Sequence, residues 1–213
     1  MVPRVPDRLI EGDSSLKAAG GYSLDLQFWW HIEWPQEVQD HTLSNLKYNK
    51  DGKLISINVL EYATVIINYA AATVVLNDRI ATNAIKHKYP VVLIRADNRT
   101  AESWTMKASS SSIIGKALMR LQCCLMINNQ VGINVEYIKG IDNIIADYIS
   151  RYKKETNELY SFSNLTQVFP ELTCCHRFHP RKELLSMIYE LVLNASIMDP
   201  LSVPKKLGHV EIE

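Results

Sequence analysis

The sequence predicts an α/β protein: a mixed five-stranded sheet flanked by helices over residues 7–153, followed by a helical C-terminal extension over residues 154–213. Three observations lead there. Early runs rich in aliphatic and aromatic residues, at 8–15, 22–34 and 54–57, are bounded by turn residues and read as strands joined as hairpins. Two later runs, Val91–Ile94 and Gly132–Lys139, are separated from these and from each other by helical patterns. Hairpins followed by helix-separated strands imply a mixed sheet.

Each element has a local reason. Residues 8–15 (RLIEGDSS) carry Leu9 and Ile10 and end in a turn with Asp13 among small residues, and Gly20-Gly21 then punctuates the chain. The segment 22–34 (YSLDLQFWWHIEW) predicts a second strand running into a Trp-rich connection, with Trp29, Trp30 and Trp34 as core. Pro35 and the polar residues 36–52 read as a loop, and DGK at 51–53 as a turn into the strand 54–57. Asn58 is a fair N-cap for a helix over 59–76 that is apolar nearly all round and therefore buried.

Val91–Ile94 are short and β-branched enough for a strand buried on both faces, ending at Asp97-Asn98. A short helix follows over 100–107, and serines 109–112 close a loop onto the N-cap of the next helix, IIGKALMRLQCCLMI. In the strand 132–139, Ile133, Val135 and Tyr137 alternate with polar neighbours, and Gly140 ends it. Residues 141–152 then form an amphipathic helix with Ile141, Ile144, Ile145, Tyr148 and Ile149 inward, which puts Asn143, Asp147, Ser150 and Arg151 on the other side. Beyond Lys153 the chain is polar and turn-rich until an amphipathic helix at 180–194, and a linker containing Pro200 and Pro204 follows.

Composition narrows the function classes only a little. Twenty-three basic residues balance 23 acidic ones, so any nucleic-acid footprint is local rather than global. No apolar run is expected to span a bilayer, and MVPRVPDRL lacks a signal peptide's hydrophobic centre, so the expected location is intracellular, cytoplasmic or nuclear. The cysteines form two adjacent pairs, which reads as reduced thiols; Cys123 and Cys124 fall in an apolar helix and are expected in the core. Cys174, Cys175, His176 and His179 place soft ligands close together, but no second pair stands at a zinc spacing.

The acids are more informative. Asp97 ends a buried strand, where α/β sheets collect ligands and chemistry. Glu61 shares a narrow polar stripe with Thr64 and Asn68 on a buried helix. Its carboxylate either points at a specific partner or caps the helix from the position three residues after Asn58. Asp147 on an amphipathic helix is ordinarily a solvated side chain.

The segments DSSLKAAGG, INVLEYATV, LIRADNRTA and GIDNIIADYISR, with the ending N-x-x-A-D-x-x-S-R from Asn143 to Arg151, resemble the ribonuclease H domain of reverse transcriptases from LTR and DIRS-like retroelements. The resemblance spans about residues 7–152, and CHRFHPRKELLSMIYELVL is similar to the segment after that domain in DIRS-like elements. It implies a ribonuclease H-like fold and an Asp-Glu-Asp-Asp quartet of Asp13, Glu61, Asp97 and Asp147. That quartet would hold two Mg²⁺, with Mn²⁺ as substitute, to hydrolyse the RNA strand of an RNA–DNA hybrid, and Asp13 would bridge the ions.

Ser14, Asn98, Arg99 and Asn143 are the candidate substrate contacts, and Lys107 and Lys116 candidate phosphate holders. A polymerase domain or chain on the N-terminal side is the implied partner, with no membrane. Many ribonucleases H carry a histidine in the loop before the last aspartate, and none stands between Tyr137 and Asp147. The alternative expectation is a catalytically inactive nucleic-acid-binding or interaction module with the quartet as relic. Integrase and transposase cores usually place their glutamate last, whereas Glu61 comes second here.

Overall fold

Strand β1 (Arg8–Ser14) joins the two halves of the sheet, pairing antiparallel with β2 (Ala18–Ser23) and parallel with β4 (Val91–Ala96). The computed structural model describes residues 5–47, 55–81, 89–151 and 164–194. Strand β2 turns into the antiparallel β3 (Phe28–Glu33), and β5 (Gly132–Tyr137) lies parallel to β4. The two-residue β6 (His176–Arg177) pairs parallel with β3, which gives the order β5-β4-β1-β2-β3-β6. The protein is thus α/β with a mixed sheet flanked by helices, but the sheet has six strands and not the expected five.

Strand membership differs from expectation in two places. Residues 18–33 make a hairpin of two strands, and Gln27, at φ 60, supplies the left-handed turn residue that a reading by apolar content alone misses. Ile55 and Ser56 lie in no strand and Ile57 opens a helix, while the rest of the expected turn and strand at 51–54 lies outside the described residues. Strand β4 is buried only on one face throughout; Leu93 and Arg95 on the other are partly open.

Helix α1 (Gln36–Lys47) occupies the expected loop. Among its described side chains Val38 and Thr42 are buried, too narrow a stripe to read as a helix face. Helix α2 (Ile57–Ala81) begins two residues earlier than an Asn58 cap would allow: the Ser56 carbonyl accepts from the amides of Val59 and Leu60, and Asn58 sits in the first turn. Against expectation, its stretch Ile57–Asp78, 22 residues, is long and apolar enough to cross a bilayer. Here an 18-residue window of that stretch is 94% buried, between the sheet and neighbouring helices, which is why it needs no polar face.

Helices α3 (Arg99–Lys107) and α4 (Ile113–Asn129) pack with α2 on one side of the sheet, and Ser112 caps α4 by accepting from the Gly115 amide. Cys123 is exposed and Cys124 half-buried, so neither belongs to the core proper. On the other side, a 3₁₀ turn (Gly140–Asp142) leads into α5 (Ile144–Ser150), which packs with α6 (Leu165–Val168) over Tyr22 and Trp29. The C-terminal segment is joined to the sheet through β6. Its helix α7 (Lys182–Asn194) buries Leu184, Ile188, Leu191 and Val192 in the main core.

The expected face of residues 141–152 is rotated. Ile141 and Ile144 are 78% and 60% exposed, whereas Asn143 and Ser150 are fully buried. The helix begins only at Ile144 and covers the sheet with Ala146, Ile149 and Ser150, turning part of its polar side toward the end of β1.

Candidate metal centre

Parallel pairing fixes the first two carboxylates. Strands β1 and β4 end on the same edge of the sheet, and the register that aligns Glu11 with Arg95 brings Asp13 and Asp97, each two residues further, to one level. Helices from both faces close on that edge because glycines let them. A Cβ on Gly12 would stand 2.0 Å from Nδ2 of Asn68 on α2, and one on Gly20 would stand 2.4 Å from Cγ2 of Ile149 on α5. From α2, Glu61 reaches the end of β1, where its Oε1 accepts from the Ser14 amide at 3.2 Å. That contact decides between the two readings of Glu61: the carboxylate faces the strand end and does not cap its own helix.

Asp13, Glu61 and Asp97 each present a carboxylate oxygen within 4.8 Å of the other two. Asp13 and Glu61 are each 3% exposed, and Glu61 Oε2 is buried with no hydrogen-bond partner. A buried carboxylate oxygen without a partner, on a residue clustered with two further carboxylates, fits the donor set of a hard cation. Oxygens sharing one Mg²⁺ at about 2.1 Å stand about 3 to 4.2 Å apart. Oxygens that all lie within 4.8 Å of one another stand at or close to that spacing. Among the described residues this is the one such cluster, and the Cys174–His179 segment forms none.

Electrostatics agree with that reading. Burial raises Asp13 from 3.8 to about 6, opposed by a hydrogen bond from the Ser150 hydroxyl and reinforced by Asp97 and Asp147. Glu61 is pushed well above its ordinary value by burial and then by Asp13 and Asp97. Asp97 is raised by burial and by Asp147. The three carboxyls therefore hold their protons more tightly than free carboxyls do, in competition with any cation.

The fourth predicted acid lies beside this trio without joining it. Asp147, on α5, is felt electrostatically by all three, but its Oδ1 accepts from Arg151 Nε at 2.6 Å and its side chain is 39% exposed. The candidate substrate contacts are placed as follows. Ser14 is buried and its amide is taken by Glu61, so that amide is not free for a 2′-hydroxyl. Asn98 caps α3, its Oδ1 accepting from Thr100 and Ala101, and its Nδ2 donates to Asn58 Oδ1. The Arg99 guanidinium lies 3.9 Å from the centroid of the Tyr137 ring.

Asn143 is fully buried, its Nδ2 donating to the Gly12 carbonyl at 3.2 Å, which ties the start of α5 to β1. Lys107 and Lys116 are exposed. Sequence reasoning missed Ser150, whose hydroxyl donates to Asp13 Oδ2 and to the Asp147 carbonyl; its position three residues after Asp147 was the available signal. It also missed His31, whose Nδ1 donates to the Ile149 carbonyl at 2.9 Å and secures the end of α5 to β3. No protein-family model, curated protein or solved structure matches this chain.

Proposed function

We propose that the chain is a metal-dependent endonuclease that hydrolyses the RNA strand of RNA–DNA hybrids, as part or relic of a retrotransposon polyprotein. The observation that carries this reading is the convergence of Asp13, Glu61 and Asp97 on one strand edge with a buried Glu61 oxygen left unbonded. A ribonuclease H-like fold is the finer architecture we assign: an antiparallel trio, β1 to β3, continued by β4 and β5 parallel to β1.

Asp13, Glu61 and Asp97 would hold Mg²⁺, or Mn²⁺ in its place, and Asp147 would complete the set. The bound ions supply activation of the attacking water and neutralisation of charge on the leaving oxygen. The chain's own groups do the positioning: the Ser14 amide orients Glu61, the Ser150 hydroxyl orients Asp13, and Asn143 fixes the start of α5 against β1. The partners of this reading are an RNA–DNA hybrid and a polymerase domain or chain on the N-terminal side. The setting is cytoplasmic or nuclear.

The test is incubation with Mg²⁺ and a labelled hybrid, an RNA duplex and a DNA duplex, with Asp97→Asn as control. Cutting of the hybrid's RNA strand alone supports the proposal. No cutting by a folded, metal-binding protein favours the inactive binding module, to which the Asp147–Arg151 ion pair also lends weight.

A further inference from the structure

Arg151 is a cation beside the acidic centre that the reading above leaves without a task. It follows α5 directly, its backbone N–H donating to the Asp147 carbonyl and its Nε to the Asp147 carboxylate at 2.6 Å. The side chain is 65% exposed, and its Nη groups are not used in the bond to Asp147. Its charge also acts on Asp13 and Asp97, lowering both.

A guanidinium at the mouth of a carboxylate cluster has two competing kinds of partner. Without nucleic acid it neutralises the nearest carboxylate, which is what Asp147 and Arg151 do. When a phosphodiester approaches, the planar fork matches two phosphate oxygens as well as it matches a carboxylate. Building on the nuclease reading, we propose that Arg151 is a positioning residue that trades Asp147 for a backbone phosphate of the bound strand, releasing the fourth carboxylate to the metal centre only when nucleic acid is present. The site would then be complete only on its substrate, and divalent metal and Arg151 would compete for Asp147 in the free protein. The exposed ion pair makes that competition weak and reversible, as an exchange requires.

The exchange predicts opposite effects from one substitution. Arg151→Met removes the competitor, so Mn²⁺ titrated into the protein alone binds about two- to fivefold more tightly, the range an exposed ion pair supports. The same variant loses a phosphate contact. Its affinity for a labelled RNA–DNA hybrid in Ca²⁺ falls, and the slope of log affinity against log salt becomes shallower by about 0.9. Arg151→Lys keeps the charge without the fork and falls between wild type and Arg151→Met in both measurements. A merely structural role for Arg151 would weaken both ligands together. That result, or Mn²⁺ affinity unchanged in Arg151→Met, or hybrid affinity unchanged, overturns the proposal. A wild-type protein that shows both Arg151 effects yet cuts no hybrid overturns the nuclease reading instead and leaves the exchange standing.

Discussion

Asp13→Asn puts the electrostatics of the strand edge to a quantitative test. Burial raises this carboxyl from 3.8 to about 6, and at about 1.4 kcal/mol per pH unit, ionising it inside the fold costs about 3 kcal/mol. The native state therefore binds its proton more tightly than the unfolded chain does. The stability tied to that proton is fully present below about pH 4 and is lost as pH rises through about 6. At neutral pH without metal the ionised Asp13 is a net liability. The asparagine removes the charge and weakens the Ser150 hydrogen bond by about 1 kcal/mol. The variant should thus be more stable than wild type by about 2 kcal/mol in EDTA near neutral pH, with the difference vanishing between about pH 4 and 5 and reversing to about 1 kcal/mol in favour of wild type at lower pH.

The wild-type profile alone would hide this. Burial lowers His31 from 6.5 to about 4, so the unfolded chain binds that proton first and stability falls over the same range as pH drops. Both proteins carry His31, and the difference between them cancels it. Urea unfolding across that pH range, with EDTA and again with saturating Mg²⁺, is the assay. An Asp13→Asn protein no more stable than wild type in EDTA near neutral pH, or stabilised by Mg²⁺ as much as wild type, would refute the argument.

Three further outcomes follow from the same geometry. Asp97→Asn should fold, and should lose the rise in thermal midpoint that Mn²⁺ gives the wild type, because one of the three converging oxygens is gone. Gly20→Ala places a Cβ 2.4 Å from Ile149 Cγ2 and 3.1 Å from that residue's carbonyl carbon, so α5 must shift. Urea unfolding should register a loss of about 1–3 kcal/mol. Trp30→Phe removes the indole donor held 2.8 Å from Asn68 Oδ1 in a fully buried pair. The loss should be about 1–3 kcal/mol in the same assay, with metal binding retained.

How far the sequence revealed the fold depends on how many elements each feature needed. Strand β4 and helix α2 were legible because an unbroken apolar run carries its own reason for burial. The division of residues 18–33 into β2 and β3 was not, because it turns on one backbone conformation at Gln27 that an ordinary polar residue adopts. Helix α1 escaped because its described side chains bury only a slim edge, and β6 because two residues paired at the rim of a sheet have no periodicity to detect.

The site was legible to a different depth on each element. Asp13 and Asp97 each stood out at the end of an apolar run, but their meeting rests on the parallel register of β1 with β4, which no local pattern carries. Glu61 had a second reading as a helix cap that only the Ser14 contact removed. Asp147 is harder still, because its position depends on how α5 sits against the sheet. That seating is fixed by particular contacts: Gly20 under Ile149, Asn143 on the Gly12 carbonyl, Ser150 on Asp13, and His31 on the Ile149 carbonyl. Each of these lies far along the chain from its partner. An amphipathic pattern could therefore put Asn143 and Ser150 on the solvent side when both are buried. Helical periodicity reports the average direction of burial, and this short helix ends over a polar centre where burial and polarity coincide. The same coincidence explains why buried polar side chains, and not apolar ones, mark the strand edge that a cation would occupy.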